Sequence, residues 1–174
     1  MNRIGKFEKV SFEQFSASMK SEIYGCQNVS EGLLKAIWET IILPERSTVG
    51  SAGYDFRAPF AFTLRPGESI KIPTGIRVLI EDGWFLACLP RSGLGFKYHI
   101  GLANTCGIVD SDYARSDNEG HIFAKLVNNG TRDVTIHTGD GFMQGIFLPF
   151  GITYTDDADG VRNGGFGSTD SNRR

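Results

Sequence analysis

A chain of 174 residues with 40% hydrophobic and 22% charged residues has the size and composition of one globular domain around one core. Its net charge of −2, from 18 Lys and Arg against 20 Asp and Glu, lacks the basic excess that holds a long nucleic acid by its phosphates. Any nucleotide partner is therefore small. No apolar run approaches the roughly 20 residues of a membrane span, and the residues after Met1 lack the apolar stretch of a signal peptide.

Cys26, Cys88 and Cys106 form no close pair, and His99, His121 and His137 lack the spacing of a metal cluster. That usage points to a reducing, cytoplasmic setting and away from disulfides or a transition-metal centre.

Residues 1–40 read as a helical N-terminal extension packed on the main body. Ser11 with Gln14 resembles a capping box, and Phe12, Phe15, Met19 and Ile23 follow at helical spacing. A second helix is expected from Ser30, with Leu33, Leu34, Ile37 and Trp38 on one face, and Gly25 and Asn28 punctuate the gap.

Residues 41–155 read as β-structure. Phe60–Leu64, Ser69–Ile72, Gly75–Ile80 and Trp84–Leu89 are β-rich runs, cut by Arg65-Pro-Gly67, Pro73-Thr-Gly75 and Glu81-Asp-Gly83. Ile100–Asn104, Ile108–Val109, His121–Asn128, Asp133–His137 and Phe142–Phe150 continue the pattern. Many short strands without alternating helices predict a mainly β fold, a barrel, sandwich or jelly roll, and not a doubly wound sheet.

Residues 156–174 begin with a solvated turn, Asp156–Gly160, and then carry too much glycine to hold regular structure alone. They read as a flexible arm that orders on a ligand. Gly164, Gly165 and Gly167 free the backbone N–H groups to cradle phosphate oxygens. Ser168 and Thr169 add hydroxyls, and Arg162 adds a planar fork for a terminal phosphate. Phe166, with no strand to bury it, is placed to stack on a base. Without Gly-Lys-Ser/Thr and a following helix this is not a Walker-type loop, and a glycine-rich tail is by itself no more than flexible.

Two further groups carry chemistry. In Pro90-Arg-Ser-Gly-Leu-Gly95, at the end of a strand, Arg91, Ser92 and Gly93 can point at an anion. Asp55, Asp110 and Asp112 are acids near turns, with Tyr113 beside the last. One carboxylate reaching Mg²⁺ through water suffices when a triphosphate supplies the other ligands. Another can take the proton of a water attacking phosphorus. Each of these, alone, is equally at home as a structural turn residue.

Taken in order, Ala52-Gly-Tyr-Asp55, Pro90-Arg-Ser-Gly93, Asn104 to Tyr113, Gly139-Asp140 with Gln144, and Arg162 to Thr169 resemble the five motifs of the trimeric dUTP pyrophosphatase (dUTPase) family. The resemblance runs from residue 41 to 170 and leaves out the first 40. It implies a jelly-roll-like (β-clip) subunit in a homotrimer, with Mg²⁺ and with active sites shared between subunits. It implies hydrolysis of dUTP to dUMP and pyrophosphate, with Asp110 as the general base. Tyr113 then packs under the deoxyribose, Asn104 reads the uracil edge, and Asp55 orients water on Mg²⁺. Arg91, Ser92, Gly93 and Gln144 match phosphate contacts, Arg162 the γ-phosphate contact, and Phe166 with Gly167, Ser168 and Thr169 the lid.

Three positions depart from the family pattern. Ala114–Glu119 intervenes before Gly120 where a glycine usually follows the Tyr closely, either as a surface turn or as a changed pocket rim or partner contact. Gly141 stands where an Arg is common, and Asp170 where a glycine is usual. Two other readings of the scaffold are a dCTP deaminase, which needs a differently placed acid, and a regulatory binding module.

Overall fold

The computed structural model describes residues 2–25, 28–160 and 162. In chain order these form β1 (Gly5–Lys9), α1 (Phe12–Glu22), α2 (Glu31–Thr40), β2 (Glu45–Arg46), β3 (Tyr54–Arg57), β4 (Phe62–Leu64), β5 (Ser69–Pro73) and β6 (Ile76–Ile80). Then come β7 (Trp84–Pro90), α3 (Ser92–Tyr98), β8 (Ile100–Leu102), β9 (Gly107–Val109), a 3-10 turn Ser111–Arg115, β10 (Phe123–Asn128), β11 (Val134–Ile136) and β12 (Gly141–Pro149). The strand runs expected from residue 60 onward all appear, and the fold is mainly β.

The largest sheet has the order β2-β3-β12-β7-β9 and a second has β5-β10-β8, with β1 paired to β6 and β11 to β4. All these pairings are antiparallel. One hydrophobic core joins Phe7, Phe15, Met19 and Leu34 of the N-terminal elements to Phe56, Ile72, Leu86, Leu126 and Phe142 of the strands. The first 40 residues thus bury their apolar face in the same core as the sheets.

Both N-terminal helices start where the sequence places them. The hydroxyl of Ser30 accepts from the Leu33 N–H at 3.2 Å, and that of Ser11 from the Gln14 N–H at 3.1 Å. The capping box at Ser11 is only half local, however. Gln14 turns its amide to Ser18, and the Ser11 N–H donates instead to Glu119, 108 residues on, at 2.8 Å. Among the elements that no run in the sequence named, two are instructive. β1 carries three charges in five residues, Gly-Lys-Phe-Glu-Lys, and only Phe7 faces the core. α3 has glycine at two of its seven positions, which are poor helix formers, so the segment looked like a turn.

Candidate functional site

Sheet register assembles the first half of the site. Gln144 of β12 lies opposite Asp55 of β3 on one side and Leu89 of β7 on the other. One row across the sheet therefore carries the Ala52–Asp55, Pro90–Gly93 and Gln144 segments to one end of β7. Asp55 is buried, and the Ser47 hydroxyl donates to one of its carboxylate oxygens at 3.1 Å. The Arg91 Nε lies 3.2 Å from the other. Arg91 also reaches the Gly141 carbonyl at 3.3 Å, and the Gln144 amide donates to the Pro90 carbonyl at 3.3 Å. Ser92 and Gly93 open α3, in the first helical turn, where N–H groups have no partner within the helix. Arg91, Ser92, Gly93, Tyr98, Asp140 and Gly141 border an open cleft of about 600 Å³.

Gly141, the departure from the family pattern, has a spatial explanation. A Cβ there would stand 2.2 Å from Nη1 of Arg91. The Arg91 guanidinium fills the room that a side chain at 141 would take. Gly53 is bound in the same way, since its Cβ would meet Oε1 of Gln144 at 2.7 Å.

The second half lies around β9. Val109 pairs with Leu86 of β7, whereas Pro90 pairs with Met143. Asp110 follows Val109 in the direction away from Pro90, so at about 3.3 Å per residue the two ends of β7 hold Asp110 and Arg91 roughly 15–20 Å apart. Within one chain the structure does not bring Asp110 to Asp55, Arg91 or Gln144. It joins Asp110 to Arg162 instead. The guanidinium bonds the carboxylate of Asp110 and, at 2.9 Å, that of Asp112, and it lies 5.9 Å from the centre of the Tyr113 ring. Asp112, named in the sequence without a role, is thus a second partner of Arg162. Asn104 sits exposed at the tip between β8 and β9, where Thr105 holds φ +61°. It borders a groove of about 280 Å³ with Lys71, Phe123 and Lys125. Phe166, Gly167, Ser168 and Thr169, like Asp170, lie outside the described residues.

Tyr113 is 8% exposed, and its hydroxyl is committed twice. It donates to the His121 carbonyl at 2.9 Å and accepts from the Asn118 amide at 2.9 Å. Burial pushes the phenol above its usual range, against the lowering effect of the Asn118 bond and of Arg162. Residues 114–119 form a turn in which Arg115 and Asp117 are exposed, but the segment is also anchored inward. Ser116 is buried, and Gly120 at φ +73° packs so closely that a Cβ would lie 2.6 Å from the Ala114 Cα. Glu119 also holds a positive φ, +59°, which costs a non-glycine residue roughly 1–2 kcal/mol.

Two contacts to α1 accompany that strain. The Ser11 N–H and hydroxyl donate to the two Glu119 oxygens at 2.8 and 2.6 Å. Burial alone raises the Glu119 pKa, but these bonds and the charges of Arg77 and His121 hold it below the usual range. His121, fully buried, accepts the Gly75 N–H at Nε2 at 2.8 Å, and its Nδ1 is 3.1 Å from the Ser18 hydroxyl. Nε2 is then the unprotonated nitrogen and Nδ1–H the donor. Burial drives the His121 pKa down to about 3, with Glu119 opposing and Lys71 assisting.

The described residues hold no group of three His, Cys, Asp or Glu side chains able to cage a metal ion. Both Asp55 oxygens have protein partners, which leaves lone pairs for an ordered water. That donor set suits a hard cation brought in by phosphate oxygens.

An antiparallel β body with an Arg–Ser–Gly turn at one end of a strand and a partly exposed acid pair at the other suits a small phosphorylated ligand. The family model described as dUTPase matches residues 39–170, and the chain belongs to the dUTPase family. The deoxyuridine 5′-triphosphate nucleotidohydrolase of Lactococcus lactis is 39% identical over 132 residues, covering 74% of this chain and 88% of that one. That of Tolumonas auensis is 42% identical over 135 residues, covering 73% and 86%. Among solved structures the Streptococcus mutans dUTPase superposes with a TM-score of 0.62 at 28% identity, covering 84% of this chain and 97% of that one. The dUTPase of phage phi11 of S. aureus, described with a structural Mg(II) ion, shares the fold at TM-score 0.58 and 21% identity over 70% and 92%.

Proposed function

We propose that this chain hydrolyses dUTP to dUMP and pyrophosphate, with Asp110 as the general base. Family membership carries the reaction. One observation carries the base: Asp110 directly follows β9, with its carboxylate partly exposed and held by the Arg162 guanidinium. A water takes up the open side of that carboxylate and attacks the α-phosphorus. Its proton passes to Asp110, the bond from the α-phosphorus to the bridging oxygen breaks, and pyrophosphate leaves.

Arg162 supplies a reason for the base to wait for substrate. Without nucleotide it neutralises Asp110 and Asp112. A triphosphate carries more negative charge and competes for the same fork, so binding moves Arg162 to the terminal phosphate and frees Asp110. Arg91, Ser92, Gly93 and Gln144 hold the remaining phosphate oxygens, Asn104 meets the uracil edge, and Tyr113 underlies the deoxyribose. Asp55 holds a water of Mg²⁺, which when bound to the triphosphate neutralises its charge.

Asp110 and Arg91 stand at opposite ends of β7, and this separation supports a homotrimer in which one copy brings Asp110 to another copy's Arg91. Exposed apolar residues support the same reading: Ile108 is 57% exposed, Phe150 51% and Ile152 74%, and each is apolar surface that a neighbouring copy can cover. No helix among the described residues is long and apolar enough to cross a membrane, and the free Cys88 and Cys106 accord with the cytoplasm.

The test is pyrophosphate release from dUTP, UTP, dTTP and dCTP, with Asp110→Asn beside the unaltered chain. The expected outcome is turnover of dUTP alone, and a loss of about 10³-fold in kcat for Asp110→Asn with dUTP binding retained. Near-native turnover by that variant rules out Asp110 as the base.

A further inference from the structure

The segment behind Tyr113 is tied to a helix that lies outside the residues matched by the family model. Asn118 bonds with both ends of its amide, and its Nδ2 also lies 3.5 Å from the His121 carbonyl. Its Nδ2 donates to the Tyr113 hydroxyl at 2.9 Å and its Oδ1 accepts the Gly120 N–H at 3.1 Å. Next to it, Glu119 takes both donors of Ser11, the N-cap of α1. Two residues further on, His121 meets Ser18 of the same helix, while its carbonyl accepts the Tyr113 hydroxyl. The helix therefore grips both ends of Glu119–His121, and Asn118 and the His121 carbonyl fix the phenol between them. Glu119 in particular supplies to the Ser11 N–H the acceptor that Gln14 does not provide to its own capping box, so the start of α1 and the shape of this segment depend on one another.

We propose that α1 is a positioning element for the sugar side of the site, with Asn118 and Glu119 as positioning residues that set the Tyr113 ring and so the preference for 2′-deoxyribose. The inference rests on the reading of Tyr113 as the residue under the sugar. A ring held at its hydroxyl by two partners cannot retreat to admit a 2′-hydroxyl. Released from them, it can. The chemistry selected is the absence of one hydroxyl on a pyrimidine nucleoside triphosphate, and the selecting contact is steric.

The experiment is steady-state kinetics on dUTP and UTP with Asn118→Ala, Glu119→Ala and Ser11→Ala. The expected result is a fall of roughly tenfold in the ratio of kcat/KM for dUTP over UTP in the first two, and a smaller fall for Ser11→Ala. The kcat at saturating dUTP stays within about threefold of the unaltered chain. A merely structural role lowers both substrates alike and leaves the ratio untouched.

Asn118→Asp keeps the acceptor for Gly120 and loses the donor to Tyr113, and Glu119→Gln keeps one acceptor for Ser11. These two decide the matter if the alanine variants do not fold. Asn118→Asp then lowers the ratio, and Glu119→Gln falls between Glu119→Ala and the unaltered chain where both can be measured. Folded variants with an unchanged ratio overturn the proposal. Tyr113→Ala separates the two layers. If it erodes the ratio while Asn118 and Glu119 variants do not, the positioning role is wrong. If Tyr113→Ala itself leaves the ratio intact, the reading of Tyr113 fails and the proposal with it.

Discussion

The two ends of β7 carry the two halves of the proposed site, and they are built differently. At the Pro90 end, Asp55, Arg91 and Gln144 are placed by strand register, and their hydrogen bonds and ion pairs among the described residues run to neighbouring strands and turns. At the Asp110 end, Tyr113 is backed by Asn118 and His121, and these lean on Ser11 and Ser18 of α1. The first half meets the N-terminal region through apolar packing, Phe7 against Tyr54 and Phe56 on either side of Asp55. The second borrows its rigidity from the N-terminal region. Changes near Arg91 should therefore act on chemistry with little effect on stability, whereas changes near Tyr113 should act on both.

The sharpest break of that contrast is Gly120→Ala. Its Cβ would press on backbone, the Ala114 Cα at 2.6 Å, from a φ of +73°. The expected destabilisation is about 2–4 kcal/mol, read as a lower urea midpoint, together with lost dUTP turnover. A variant as stable as the unaltered chain would show that the segment is loose and that the second half does not depend on it.

Acid is the next lever, because it reaches only the Tyr113 side through a buried imidazole. The folded pKa of His121 is about 3, against 6.5 for the free side chain. The unfolded chain then takes up the proton first, so the contribution of His121 is complete above about pH 6.5 and is lost as pH falls towards 3. Glu119, with its lowered pKa, adds a loss below the ordinary carboxylate range. Melting temperature should fall between pH 6.5 and 4, with a shallower slope in His121→Gln. Equal slopes would remove His121 from the account.

Gly141→Ala gives the smallest stability effect and completes the comparison. Its Cβ meets the far end of a flexible side chain, Nη1 of Arg91, which can swing aside. The expected result is an unchanged melting temperature and a loss of roughly tenfold in kcat/KM for dUTP. A loss of stability like that of Gly120→Ala would erase the distinction between the halves.

Much of this was legible in the sequence for a physical reason. The strand runs from residue 60 onward are short, apolar and separated by glycine and proline turns, so local pattern and final structure agree. The residues of the Pro90 end sit in compact motifs for the same reason. The borrowed half was not legible. Gln14 fits the local capping rule, yet its place is taken by Glu119 from 108 residues away, and no local pattern announces so distant a partner. Ala114–Glu119 is polar enough to pass for a solvated turn until Ser116 and Gly120 are seen buried. β1 hides because its charges outnumber its one core residue, and α3 because two glycines occupy its seven positions.

The claim that the halves at opposite ends of β7 meet only between copies is tested most directly by mixing two inactive chains. Asp110→Asn and Arg91→Ala are each expected to show almost no pyrophosphate release from dUTP. Unfolded together in equal amounts and refolded, they should recover activity at about a quarter of the sites, those pairing an intact Asp110 with another copy's intact Arg91. No recovery from a mixture that assembles normally would contradict the account, because every site confined to one chain would keep its defect.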